Sequence, residues 1–233
     1  MGKNMKLHKG DAVEWLSTIE DNSVDVIFFD APFYQNGEKG KDKIANYRCW
    51  IEKMAKHFSR ILVEGGNVIY VNAPKYILAT ADIFLSLFEF RSQVPLIRRG
   101  SLRPAWMLGF RHNIMLFLCK GDKKLHWNGA RQNHDKSYPT DVWDDIPYQN
   151  GYRSKFGWHP EAINLPIVER AVKLVASPGD TVIDPCMGSG TTAVVCMNNG
   201  INFMGNEIRD DYYRLACDRI SNENNLFKTE PDK

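Results

Sequence analysis

The sequence lacks most of the features that would place it outside an ordinary enzyme-sized domain. Cysteine is scarce: Cys49, Cys119, Cys186, Cys196 and Cys217 are the five present, and no two form a CxxC pair. An odd, scattered set excludes a disulfide framework and a cysteine-based zinc site, and reads as free thiols in a reducing cytoplasm. No run approaches the ~18 apolar residues of a membrane span, and the first ten residues carry no secretory apolar stretch. Charge of one sign is missing too. Thirty basic residues face 28 acidic ones, for a net charge of +2. A nucleic-acid partner therefore has to be argued from local patches, not from bulk charge. No GxxxxGK[ST] segment exists, which excludes a P-loop nucleotidase. His159, directly before Pro160, has no second ligand three or four residues on and reads as structural, so no metal is expected.

What is present fits one large α/β domain. The chain has 233 residues, 43% hydrophobic and 25% charged. Short apolar runs at 24–29, 67–71, 181–184 and 202–206 read as buried strands. Helical periodicity covers 47–62, 74–88, 190–198 and 210–221, and a further helix is predicted from Pro160 to about 176. Residues 91–98 and 113–119 read as an antiparallel pair. Strands alternating with helices predict an α/β, doubly wound, mostly parallel sheet, whose ligands bind beyond the carboxyl ends of the strands.

Two of those ends carry unusual residues. The first is Asp184-Pro185-Cys186-Met187-Gly188-Ser189-Gly190-Thr191-Thr192, a strand end, a small-residue loop and a helix start. Its glycines let backbone approach a ligand, and a helix N-terminus presents unpaired amides. Glu207 ends the next strand, where a carboxylate can accept both hydroxyls of a ribose. The order points to a nucleoside-containing cofactor and leaves NAD and S-adenosylmethionine both open. The second is Asp30-Ala31-Pro32-Phe33. Methyl transfer to an aryl amine needs the amino hydrogens accepted and the nitrogen held in line, because its lone pair is delocalised into the ring. The Asp30 carboxylate and the Ala31 carbonyl on a turn stiffened by Pro32 supply two acceptors, and Phe33 can stack a base.

Taken together, DAPF followed by DPCMGSGTT resembles the amino-methyltransferases of restriction-modification systems, specific for adenine N6 or cytosine N4. The order of the two motifs is similar to the permuted β group. The likeness extends to Gly10-Asp11-Ala12, Asp141-Val142-Trp143, His159-Pro160 and Gly205-Asn206-Glu207. It implies a seven-stranded methyltransferase sheet with S-adenosyl-L-methionine as cofactor. It implies Asp30, Ala31, Pro32 and Phe33 as the catalytic turn. It implies cofactor contacts from Asp11, Ala12, Asp30, Asp184, Pro185, Cys186, Met187, Gly188, Ser189, Gly190, Thr191, Thr192 and Glu207. Double-stranded DNA is the implied partner, with room for a homodimer and for a cognate restriction endonuclease. The chain departs from the family pattern at Ala31 (usually proline), Phe33 (usually tyrosine) and Cys186 (usually phenylalanine). Asn164-Leu165-Pro166 stands where many members have Lys-Pro.

Between 120 and 158 the periodicity fades, and seven basic residues interleave with seven aromatics, Trp143 among them. The resemblance places target recognition there. The expected organisation is a catalytic half (1–120), a recognition insertion (121–158), a cofactor half (159–227) and a short tail (228–233). Arg98, Arg99 and Arg103 read as a phosphate clamp or a solvated loop, and 37–43 as a polar lid or linker. Asp30 points to adenine, because cytosine-specific relatives usually carry serine there. The alternatives are a cytosine-N4 enzyme, an NAD-dependent oxidoreductase and a catalytically silent DNA-binding subunit.

Overall fold

The structure is a computed structural model that describes residues 4–32, 41–102, 110–121, 140–146, 150–154 and 157–226. The expected stacking residue Phe33 and most of the expected recognition segment lie outside the described residues. So do the side chains of the 98–103 arginines and residues 37–40 of the expected lid.

The first half of the chain runs β1 (Met5–Lys9), α1 (Ala12–Ser17), β2 (Val24–Asp30), α2 (Lys41–Ile61), β3 (Leu62–Asn72), α3 (Pro74–Leu85), β4 (Glu89–Leu102) and β5 (Phe110–Cys119). The second half runs β6 (Asn150–Ser154), β7 (Gly157–Ile163), α4 (Leu165–Val175), β8 (Thr181–Asp184), α5 (Thr191–Asn198), β9 (Asn202–Glu207) and α6 (Asp210–Leu226). Seven strands form one sheet in the order β1-β9-β8-β2-β3-β5-β4. The first five are parallel, and β5 and β4 close the sheet antiparallel, as the sequence predicted for that pair. Strands β6 and β7 form a separate hairpin.

The period-2 geometry of the central strand builds both layers. Val26 and Phe28 of β2 enter a core with α4, α5 and α6, while Ile27 and Phe29 enter a second core with α1, α2 and α3. Helix α2 buries Tyr47, Ile51, Met54, Ala55 and Phe58, residues three and four apart on one face.

The structure corrects the sequence reading at two places. Helix α2 begins at Lys41, so 41–43 are helical and not part of a lid. Strand β7 runs through His159 and Pro160, so the helix expected from Pro160 starts only at Leu165. Proline is tolerated on a strand of a two-stranded sheet, which is all edge, and the helix-start proline is Pro166 in the first turn. Trp143 is in the first core. It sits at a tilt against Phe117, with the Arg170 guanidinium 5.4 Å from its ring and Arg170 also gripping Asp145. This end of the expected recognition segment is thus fastened to the sheet.

Candidate active site

Because five strands are parallel, their carboxyl ends share one edge. Asp30 ends β2, Asn72 ends β3, Asp184 ends β8, Glu207 ends β9, and Gly10-Asp11 follows β1. Strands β2 and β8 are neighbours, yet the chain leaves β2 for a helix on one face and β8 for a helix on the other. That is a topological switch point, where the loops part and leave a crevice. A cleft of about 320 Å³ opens there, lined by Asp30, Asp184, Cys186, Gly188, Thr192 and His159 among others. The two motifs, far apart in sequence, meet in this one cleft.

The glycine loop is tied down from three sides. Asp184 is 3% exposed and accepts from the Thr192 hydroxyl at 2.7 Å and the Cys186 amide at 3.1 Å. Burial pushes its carboxyl up to about 7; those two bonds act against the rise, and the facing Glu207 adds to it. Arg219 of α6 reaches under the loop to the carbonyl and hydroxyl of Ser189 and the hydroxyl of Thr191. Asn206 donates to the carbonyls of Pro185 and Gly10 and shares a bond with His8, joining β1, β8 and β9 at the site edge. The amide of Met187 donates to the Asn206 carbonyl. Gly188 and Gly190 have φ of +52° and +77°. A Cβ on Gly188 would stand 2.7 Å from His159 Nε2, and one on Gly190 3.1 Å from Ala216. Both glycines are required by conformation and by space.

Glu207 is buried beside the loop. One oxygen takes the Gly188 amide at 3.0 Å and the other the Arg209 amide at 2.9 Å. Burial still raises its pKa. Each oxygen retains a lone pair, so the carboxylate can accept two neighbouring hydroxyls. Ile208 follows it, 65% exposed. The sequence reading passed over this residue, although an apolar side chain directly after a strand-terminal acid was the available signal. Asp11 caps α1, one oxygen accepting from the amides of Val13 and Glu14, and Ala12 is buried beneath it.

At the turn after β2, Asp30 pairs with Val71, and the Ala31 amide continues the ladder to the Val71 carbonyl at 3.2 Å. Ala31 is buried and Pro32 exposed. Cys186 reports how closely the acids gather. Burial pushes its thiol well up, and Asp184, Glu207, Asp30 and Asp11 all add to the rise. It stays protonated and is no nucleophile. Behind β2 and β3, Asn72 donates to the Tyr47 hydroxyl at 2.7 Å and the Tyr70 hydroxyl at 3.1 Å. This buried network had no sequence signal, because its members are far apart in the chain.

A doubly wound sheet with a glycine loop, a strand-terminal acid and a second carboxylate at the switch point is the arrangement of a site for a nucleoside-containing cofactor. The chain belongs to the DNA methylase family, whose model matches residues 24–218. This membership decides against the oxidoreductase alternative. The type II methyltransferase M.BamHI of Bacillus amyloliquefaciens is 26% identical over 230 residues, covering 87% of this chain. The chain spans only 54% of that relative's length. Among solved structures, TTHA0409 of Thermus thermophilus, complexed with S-adenosyl-L-methionine, superposes with a TM-score of 0.72 at 20% identity, over 94% of each chain. The cytosine-N4-specific PvuII DNA methyltransferase superposes with 0.79 at 15% identity, over 99% of this chain and 95% of that one.

Proposed function

We propose that the chain transfers a methyl group from S-adenosyl-L-methionine to the N6 amino group of an adenine flipped out of double-stranded DNA. The observation that carries this reading is the shared cleft, in which Asp30 and the glycine loop face each other. The residues present fit the cofactor. Glu207 has lone pairs for the ribose hydroxyls, Ile208 offers an exposed apolar surface for the adenine ring, and Gly188 leaves no side chain between loop and ligand. When bound, the cofactor supplies an electrophilic methyl on a sulfonium. The chain's own work is to place the amine. Asp30 accepts an amino hydrogen, and the Ala31 carbonyl accepts the other. The bond to Asp30 strengthens as positive charge develops on nitrogen, so it favours the transition state over the ground state. Asp30 does not deprotonate the neutral amine beforehand, since that pKa is far above a carboxylate's. Phe33 stacks the extruded base.

Cytosine N4 is the second reading, favoured by the superposition on the PvuII enzyme. Residue Asp30 favours adenine, because the cytosine-specific enzymes that the chain resembles usually have serine there. We place target recognition in 121–158; exchanging that segment with a relative's, while keeping Trp143 and Asp145, should move the methylated site and leave cofactor affinity unchanged. The decisive test is to incubate plasmid DNA with purified protein and cofactor and map modified bases by single-molecule sequencing. N6-methyladenine at a fixed site supports the proposal. N4-methylcytosine selects the second reading, and cofactor binding without any modified base identifies a silent subunit.

A further inference from the structure

Four polar side chains are fully buried near the turn after β2: Tyr47 of α2, Tyr70 and Asn72 of β3, and Thr80 of α3. Aromatic rings surround them. Phe84 stacks on Tyr70 at 4.4 Å and Phe29 at 5.6 Å, while Tyr47 packs against Trp50 and Tyr76.

Counting protons leaves the four one arrangement. The Thr80 hydroxyl donates to the Tyr76 carbonyl at 2.7 Å, so it accepts from the Tyr70 hydroxyl at 2.9 Å. The Tyr70 oxygen then accepts one hydrogen of the Asn72 amide at 3.1 Å, and the Tyr47 oxygen accepts the other at 2.7 Å. The Asn72 side-chain carbonyl takes the Ala73 amide at 2.8 Å, which fixes how the side chain is turned. Burial raises the pKa of both phenols, so both stay neutral.

Stability alone gives little reason for such a knot. Replacing both partners of a buried hydrogen bond by apolar groups of the same shape is often close to neutral. Its place in the fold gives a different reason. Asn72 is the last residue of β3 and follows Val71, which pairs with Asp30 and accepts the Ala31 amide at 3.2 Å. Tyr47 belongs to the same core cluster as Ala31, and Cys186, which lines the cleft, adds to the burial that raises the Tyr47 pKa. The knot ties α2, β3 and α3 together one residue from the point where the turn meets the sheet.

We propose that Tyr47 and Asn72 are positioning residues for methyl transfer, which fix the end of β3 and, through Val71, the placement of Asp30 and Ala31 in the cleft. This rests on the reading of Asp30 and Ala31 as the groups that hold the acceptor amine. A displacement of about 1 Å in such a group can cost on the order of a hundredfold in rate. The groups read as cofactor contacts on β8 and β9 lie on the other side of β2 and do not depend on the knot.

The test compares Tyr47→Phe with the triple variant Tyr47→Phe/Tyr70→Phe/Asn72→Leu. Each is measured for single-turnover transfer of tritiated methyl to plasmid DNA with DNA and cofactor saturating, for S-adenosylmethionine affinity by calorimetry, and for denaturant midpoint. Tyr47→Phe should react about tenfold or more slowly and bind cofactor within about twofold of wild type. The triple variant removes donors and acceptors together, so its denaturant midpoint should stand near that of wild type while its rate stays low. A wild-type rate in Tyr47→Phe, cofactor binding weakened in proportion to the rate, or a rate that recovers with stability in the triple variant would each show a packing role only and overturn the assignment. If the triple variant is unstable, rate against cofactor affinity in Tyr47→Phe decides alone. Wild-type protein that transfers no methyl, or Asp30→Ala that transfers at the wild-type rate, is a different result, which refutes the reading of the turn and this inference with it.

Discussion

Asp184→Asn offers a quantitative test of the forces at the glycine loop. The substitution keeps the shape and removes the charge. In the native protein two effects compete. Near-complete burial disfavours the carboxylate, while the Thr192 hydroxyl and the Cys186 amide favour it. Burial wins, and the pKa rises from 3.8 to about 7. The unfolded chain holds the lower value, so between those limits the folded state binds more protons. The stability contributed by the protonated group is fully present below about pH 4 and is lost as pH rises through about 7. At 1.36 kcal/mol per unit, the wild type should lose roughly 4 kcal/mol relative to Asp184→Asn across that window. Comparing the variant with wild type cancels the titration of His159, whose pKa burial holds down to about 4 and which works in the opposite direction. Chemical denaturation at intervals from pH 4 to pH 8, without cofactor, measures the difference. A gap independent of pH would refute the reasoning. Such a flat gap would mean that the two hydrogen bonds outweigh burial and the loop is built on a carboxylate that is ionised throughout.

Three further outcomes follow from the same geometry. Asp30→Ala should transfer methyl about a hundredfold or more slowly in single-turnover quench assays at saturating cofactor; a rate near wild type would move the catalytic group away from this turn. Cofactor affinity of the wild type should weaken as pH falls through the raised pKa of Glu207, whose protonated form offers fewer lone pairs to a ribose. Glu207→Gln should bind about tenfold or more weakly at pH 8 and show a flatter profile by calorimetry, and an unchanged profile would assign the titration elsewhere. Trp143→Ala should cost about 3–5 kcal/mol in denaturant unfolding, as for a large aromatic removed from a core. A loss below about 1 kcal/mol would return Trp143 to the surface and to candidacy as a DNA contact.

The central strands were legible because they are buried on both faces: VDVIFF and TVID are continuous apolar runs, and nothing else in their neighbourhoods competes. Strand β1 was not legible. Met5–Lys9 lies at the sheet edge with alternate residues exposed, so it carries lysines and a histidine where a central strand has valines. Strand β7 was misread because a proline usually announces a helix start, and only the hairpin partner β6 reveals that Pro160 needs no donor. The two carboxylates and the loop were legible as separate motifs, since each is local. Their convergence on Cys186, the Arg219 prop and the polar knot at Asn72 depend on the register of strands from opposite ends of the chain. His159 was read as structural. Its placement against Gly188 requires β7, which the sequence did not show.

The pairing of β1 with β9 joins residues about 200 positions apart, Met5 with Phe203 and His8 with Asn206. On the ribosome the first strand emerges early and waits for its partner. At roughly 5–20 residues per second, the separation of 198 positions from His8 to Asn206 takes about 10–40 s to synthesise. During that interval β1 is an unpaired strand, and its lysines at positions 6 and 9 keep it from sticking to other nascent chains. The β2–α2–β3 unit, whose contacts are local, can form long before. The glycine loop, held by Asn206 and Arg219, is thus completed last, and a chain cut short before Glu207 loses the pairing of its first strand along with its final ones.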